Sequence, residues 1–342
     1  MSDITANLPS LQFEAGLSAG ETPLLGLRER RAGLVSSVCA HAAFLCSRAC
    51  SLRTSVSNGN PPIFTKGSSI KISNEQQMLK VGIIGGGHVG KQLAQVLLAR
   101  ADLRPLNISI STRRPQSLED FRKMGVECFY DNPRVAAWAD VLFLCCLPFH
   151  LPQVCAEIRS ELPQSCTVYS FVTAVPLPRL RQLLSHSSVL KPEFGFIGSG
   201  SASMWTSAGP VTDALKDPAV VAATCPLGMS GGLCVDIKWF VAVLYCLLNM
   251  CTTLSGGSQK ALELMNELFL LKGTSPSHNT LQFTLLSFIN ASFASTLSSD
   301  EPLPWINLID AQLKETPLSK MLSEHHALRE HLTAVYCSVL GV

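Results

Sequence analysis

At 342 residues, 47% of them apolar and only 15% charged, the chain is long enough for two hydrophobic cores and too apolar to be disordered. A net charge of +2 gives no electrostatic footing for a nucleic-acid partner. The thirteen cysteines form no CxxC pair and sit mostly inside apolar runs, which argues against a disulfide framework or a zinc site and for buried, reduced thiols.

Residues 1–78 read as an N-terminal extension, partly disordered, with one short helix. The leader is polar and punctuated by Gly and Pro. "GLVSSVCAHAAFLCSRACSLR" has the pattern of a helix with an apolar face, and "TSVSNGNPPIFTKGSSIKISNEQQ" is linker-like. Arg28, Arg30, Arg31, Arg48 and Arg53 cluster with serines, as in a mitochondrial targeting segment. Asp3, Glu14, Glu21 and Glu29 oppose that reading, because such segments are poor in acids. A cytoplasmic protein is the expectation and a mitochondrial one the alternative.

Residues 79–228 carry the pattern of a doubly wound Rossmann domain. Val81 to Ile84 is a continuous apolar run, as expected of a parallel strand buried on both faces. It feeds Gly85-Gly86-Gly87-His88-Val89-Gly90, a G-x-G-x-x-G turn that opens a helix. Gly85 permits the tight turn, Gly87 lets backbone approach a pyrophosphate, and Gly90 lets the helix pack on the strand; the helix N-terminus faces the phosphates. The glycines alone also fit a ligand-free corner, so the context decides. A second strand, "NISISTRR", ends about 20 residues on, where an NAD site wants Asp or Glu for the ribose hydroxyl. Here stand Ser111, Thr112, Arg113 and Arg114. Hydroxyls and guanidinium forks suit a 2′-phosphate, so the expected cofactor is NADP(H).

The alternation continues through a helix near Leu118 to Met124, "VECFY", the buried strand "DVLFLCCLP", a helix from about Leu151 to Leu162 and the strand "CTVYSFV". Ligands in such sheets lie beyond the carboxyl ends of the strands, which places Leu147, Pro148 and the Thr173-Ala174-Val175 turn near the nicotinamide.

The stretches "VGIIGGGHVGKQLA", "FRKMGVE", "ADVLFLCCLP" and "VYSFVTAVPLPRLRQLL", in that order, resemble the pyrroline-5-carboxylate reductase family. The resemblance implies hydride transfer from NAD(P)H to a cyclic imine, in the manner of proline biosynthesis, on a Rossmann domain followed by a helical dimerisation domain. It implies that Gly85, Gly87, His88, Val89 and Gly90 cradle the pyrophosphate, that Ser111, Arg113 and Arg114 take the 2′-phosphate, and that Leu147 and Pro148 border the nicotinamide ribose. The chain also departs from the family. Cys146-Leu147-Pro148 stands for Val-Lys-Pro, and Val172-Thr173-Ala174 for Ala-Ala-Gly. "LKPEFGFIGSGSASMW" takes the place of Arg-x-Met-Pro-Asn-x-Pro, and "CPLGMSGGLC" that of Ser-Gly-Ser-Gly-Pro-Ala.

No catalytic residue is identified from these patterns. A pyrroline-carboxylate site needs an anion trap, and Ser230, Gly231 and Gly232 can supply one through backbone N–H groups, or simply cap the helix that follows. His88 begins the helix, with its side chain toward the phosphates or toward solvent, and His150 reads as a polar first-turn residue, or as one that reaches the nicotinamide cleft. Lys238 reads as a helix-surface lysine, or as the catalytic lysine of a related two-domain dehydrogenase. No metal site is expected.

Residues 229–342 form the helical C-terminal domain, with helices expected at about Leu233 to Leu254, Gln259 to Leu271, Asn279 to Leu297 and Pro317 to Leu340. "WFVAVLYCLLNMCTTL", at about 16 residues, is short of the roughly 20 a membrane span needs, so burial by other helices is the expectation. The first and third helices are apolar beyond one face, which with the resemblance points to a homodimer. The expected function is an NADP(H)-dependent oxidoreductase reducing a C=N bond of a small carboxylated substrate. The alternatives are a non-catalytic NADP(H)-binding protein and a related dehydrogenase with another substrate.

Overall fold

The computed structural model describes residue 18 and residues 25–59, 78–196, 205, 209–228, 232–269 and 282–342. It begins with one long helix, α1 (Leu25–Gly59). The Rossmann unit follows: β1 (Val81–Ile84), α2 (His88–Arg100), β2 (Ile108–Ser111), α3 (Glu119–Lys123), β3 (Glu127–Phe129), α4 (Asn132–Trp138), β4 (Val141–Leu144), α5 (Leu151–Ile158), β5 (Thr167–Ser170), α6 (Leu177–Leu184) and β6 (Val189–Leu190). The six strands are parallel, in the order β3-β2-β1-β4-β5-β6, with Val81 opposite both Ile108 and Val141. Every residue of β1, β2, β4 and β5 is buried, as near-continuous apolar runs require when helices cover both faces. Alternate residues feed two cores. Ile84, Leu142, Leu144 and Val168 pack with α4, α5 and α6, and Ile83, Ile110, Phe143 and Tyr169 pack toward α1 and α2.

The chain then forms β7 (Phe194–Phe196), α7 (Val211–Ala214), α8 (Pro218–Thr224), β8 (Leu233–Val235), α9 (Ile237–Ser255), α10 (Ser258–Phe269), α11 (Leu285–Phe288), α12 (Ala291–Ala294), α13 (Leu308–Leu313), α14 (Pro317–Glu324) and α15 (His326–Val339). β7 and β8 pair as an antiparallel ribbon.

The N-terminal helix corrects the expectation of a short one. No Gly or Pro interrupts residues 34 to 57, so nothing stops it. It is buried on all sides through its middle: Cys39, Ala40, Ala42, Ala43, Phe44, Leu45 and Cys46 are inaccessible. It packs between α2 of the Rossmann unit and α8, α9 and α10 of the helical half. Arg53 fixes its C-terminal part to the sheet through an ion pair with Asp140 at 3.1 Å, and Asp140 also accepts the Lys80 N–H. The disorder expected around this helix falls on residues outside the described ones.

Two other helices differ from expectation. Within 282–297 there is no single helix but two one-turn helices, because side chains cap the backbone locally: Thr284 and Ser287 form a capping box, and Asn290 accepts the Phe293 N–H. The expected Pro317–Leu340 helix breaks at His325, which leaves the helical region of backbone space.

Segments Arg30–Val56 and Ile237–Ser255 are long and apolar enough to cross a membrane by length and composition, yet 78% and 67% of their most apolar windows are buried within the fold. Each covers the other. The burial of α9, which from sequence pointed to a second subunit, comes from α1, α10 and α13 of the same chain. All thirteen cysteines carry free thiols, and burial pushes those of Cys155 and Cys246 up to about 12.

Candidate functional site

Along the carboxyl edge of the sheet, the ends of β1, β2 and β4 form a glycine-walled notch. Gly85 has φ of +111°, and its N–H donates to the Ser111 carbonyl at 2.9 Å, so the chain turns sharply off the sheet while staying tied to β2. A Cβ on Gly85 would lie 2.7 Å from the Cys145 carbonyl oxygen at the end of β4. A Cβ on Gly90 would strike the Gly85 carbonyl oxygen. Gly87 is exposed and has nothing within 4 Å of where its Cβ would stand. The notch is therefore closed where helix meets strand and open where a ligand would approach. Gly87 is the N-cap of α2 and, being glycine, brings no side chain to cap the first turn. The N–H groups and dipole of α2 thus face this opening, as a pyrophosphate requires. His88 is exposed at the first helical position, and Val89 is half-buried.

Beyond β2 the predicted residues divide. Thr112 is half-buried, and Arg113 and Arg114 are exposed on the rim. Arg113 Nη2 donates to His150 Nε2 at 3.3 Å. A guanidinium only donates, so the Arg113 fork is the donor in this contact. This contact spans the mouth of the notch, from β2 to the turn after β4. Ser111 corrects the sequence reading. It is buried, its hydroxyl donates to Asn132 Oδ1 at 2.7 Å and accepts from the Asp131 N–H at 3.1 Å, and it is occupied inside the fold. Asn132 in turn donates to Glu157, so the chain of bonds fixes the β2 end to α4 and α5. Leu147 and Pro148 are exposed beside the notch, with Phe149 at 87% exposure next to them.

Further along the same edge, past β5 and β6, lies a cavity of about 430 Å³ lined by Leu34, Thr173, Ala174, Lys191, Glu193, Phe194 and their neighbours. The ribbon explains its walls. Pairing of Gly195 with Cys234 brings "LKPEF" and the end of "CPLGMSGGLC" together, and Trp205 and Leu233 pack against Gly33 of α1. Of the residues expected to trap an anion, Gly232 lies at the ribbon's start, while Ser230 and Gly231 fall outside the described residues. Lys238 sits in the first turn of α9, its N–H held by Asp236. The lysine lining the cavity is Lys191, which the sequence reading passed over. Its signal was a lysine directly following a buried strand. A second cavity of similar volume, walled by Tyr245, Phe288, Phe293 and Trp305, lies in the helical half. Trp305 Nε1 donates to Ser188 Oγ at the start of β6, which puts that cavity toward the opposite edge of the sheet.

Residues 80–172 match the family described as "NADP oxidoreductase coenzyme F420-dependent". The NADP-dependent oxidoreductase domain-containing protein 1 of Mus musculus is 41% identical over 345 residues, covering 99% of this chain and 94% of the relative. Pyrroline-5-carboxylate reductase 3 of Danio rerio is 30% identical over 120 residues, 34% of this chain and 42% of that protein. Among solved structures, a pyrroline-5-carboxylate reductase from Coxiella burnetii aligns over 77% of this chain and 96% of its own, with a TM-score of 0.32 and 16% identity.

Proposed function

We propose that this chain, which belongs to the family of NADP-dependent oxidoreductase domain-containing protein 1, is an NADP(H)-dependent oxidoreductase that reduces a C=N bond in a small carboxylated molecule. The observation that carries the reading is the cavity of about 430 Å³ beside Thr173 and Ala174, on the same sheet edge as the glycine notch. The two loops that depart most from the reductase pattern join in one ribbon, and residues of the first, Lys191 to Phe196, wall that cavity. This supports a substrate site over a degenerate one.

The residues present fit NADP(H). Gly85, Gly87, His88, Val89 and Gly90 would hold the pyrophosphate, the open face of Gly87 giving it room. Thr112, Arg113 and Arg114 would hold the 2′-phosphate through charge-assisted bonds. Leu147 and Pro148 offer an apolar lip toward the nicotinamide half. When bound, NADPH supplies a hydride, and a protonated imine is already an electrophile. The chain's own contribution is then positioning and exclusion of water, which Leu34, Phe194 and Phe196 serve. The thirteen free thiols support a reducing compartment, cytoplasmic in the first instance.

The test is NADPH oxidation by the purified chain with pyrroline-5-carboxylate, run beside an NADPH titration. Turnover supports the reading. Tight NADPH binding without turnover on any imine would make the protein a binder of NADP(H) and sink it.

A further inference from the structure

Lys191 is the first residue past β6, and it is a cation taken almost wholly out of water: its side chain is 5% exposed. Burying an ammonium is costly unless it is paired. Its ion-pair partner among the described residues is Glu193, 3.2 Å from Nζ, whose side chain is 67% exposed. A carboxylate so well hydrated gains little from the pair and leaves it cheaply. The backbone around the lysine is held more firmly. Its N–H donates to Gln312 Oε1 at 3.0 Å, and Gln312 Nε2 donates to the Val189 and Leu308 carbonyls, both at 2.8 Å. Lys191 and Glu193 both line the cavity, between the apolar surfaces of Leu34, Phe194 and Phe196 and the exposed Thr173.

We propose that Lys191 is the anion anchor of the substrate site, its ammonium exchanging the Glu193 carboxylate for that of a small, partly apolar acid. The proposal rests on the reading of this cavity as the substrate site. An enclosed ligand carboxylate pairs with the ammonium in a lower dielectric than Glu193 can. The acid end then sits past β6, and the rest of the molecule extends along the edge toward β4 and the glycine notch. Glu193 is a stand-in that keeps the cation paired when no ligand is present.

The experiment is calorimetric titration of the full chain, saturated with NADP⁺, using pyrrole-2-carboxylate and, as the uncharged comparator, pyrrole-2-carboxamide. The carboxylate is expected to bind roughly tenfold to a hundredfold more tightly than the amide, the worth of a charged hydrogen bond. Lys191→Met is expected to abolish that preference and leave NADP⁺ affinity unchanged. Because Lys191→Met alters a buried position, the exposed Glu193→Gln gives an independent reading. It removes the competing carboxylate and is expected to tighten pyrrole-2-carboxylate binding, which a purely structural ion pair would not do. Equal binding of the two probes, binding of neither, a preference that survives Lys191→Met, or weaker binding in Glu193→Gln would each overturn the assignment. The functional reading fails separately: loss of NADP⁺ binding, or carboxylate binding without imine reduction, counts against that reading and not against the anchor.

Discussion

The carbonyl oxygen of Gly85 occupies the place where a side chain on Gly90 would have to go. Strand and helix are in backbone contact there, and two residues away, at Gly87, the same turn is open. The two glycines therefore fail differently. Gly90→Ala is expected to destabilise the chain by about 3 kcal/mol or more, because a Cβ against backbone oxygen forces α2 off β1. Gly87→Ala is expected to cost far less, about 1 kcal/mol for losing a glycine N-cap, and to weaken NADPH by roughly tenfold to a hundredfold, as the methyl group fills the space for the phosphates. Denaturant unfolding and an NADPH titration on both variants check the contrast. Equal effects of the two substitutions on folding would refute it.

Arg113 and Arg114 stand exposed on the rim beyond β2, with Arg113 bonded to His150. Each replaced by Ala is expected to lower NADPH affinity roughly tenfold or more, from loss of a charge-assisted bond, with NADH affinity nearly unchanged. The readout is the ratio of the two dissociation constants. A double variant that keeps the wild-type preference for NADPH would show that the 2′-phosphate is bound elsewhere.

The strand–turn–helix that opens the Rossmann unit could be read from sequence because its geometry is local. Strand, G-x-G-x-x-G and helix are contiguous, and each glycine has a steric reason that the chain order already implies. Ser111 was misread because its partner, Asn132, lies 21 residues away on α4, and pattern alone does not reveal a hydroxyl used inside the fold. Lys191 was passed over for a related reason. It lines a cavity whose wall includes residues of a ribbon between 194–196 and 233–235, a pairing of distant segments that neither period nor turn chemistry announces. The role of α1 was underestimated because burial on every side erases the amphipathic stripe by which a docked helix is recognised.

Phe44, at the centre of α1, has no exposed surface and sits 5.0 Å from the ring of Tyr336 and 5.8 Å from that of Phe240. Phe44→Ala is expected to cost about 3–5 kcal/mol, seen as a lower urea midpoint, because the cavity opens between three helices that cannot all collapse into it. Since α1 covers α9 within one chain, the burial of α9 does not itself call for a second subunit. The thermal midpoint is expected to stay constant across a hundredfold range of protein concentration, roughly the span over which an obligate dimer would shift by several degrees. A midpoint that rises with concentration would restore the second subunit as the cover of α9.

His41 joins α1 to the helical half. Its ring lies 4.4 Å from that of Trp239, and its Nε2 is 2.8 Å from the Thr224 carbonyl. Burial disfavours the charged ring and lowers its pKa to about 4, against the 6.5 of an exposed histidine, with the bond to Thr224 opposing that shift. Between those values the unfolded chain takes up a proton that the folded chain refuses. Stability is therefore fully retained above the unfolded value and declines as pH falls from 6.5 toward 4. From about pH 7.5 to about pH 5 the loss from this residue is on the order of 2 kcal/mol. His186, whose pKa burial also lowers, adds a loss of the same sign. His41→Phe keeps an aromatic ring against Trp239 and has nothing to protonate, so it is expected to reduce the acid-induced loss without abolishing it. Urea unfolding of wild type and His41→Phe at the two pH values measures the difference, and parallel losses in both would place the acid sensitivity elsewhere.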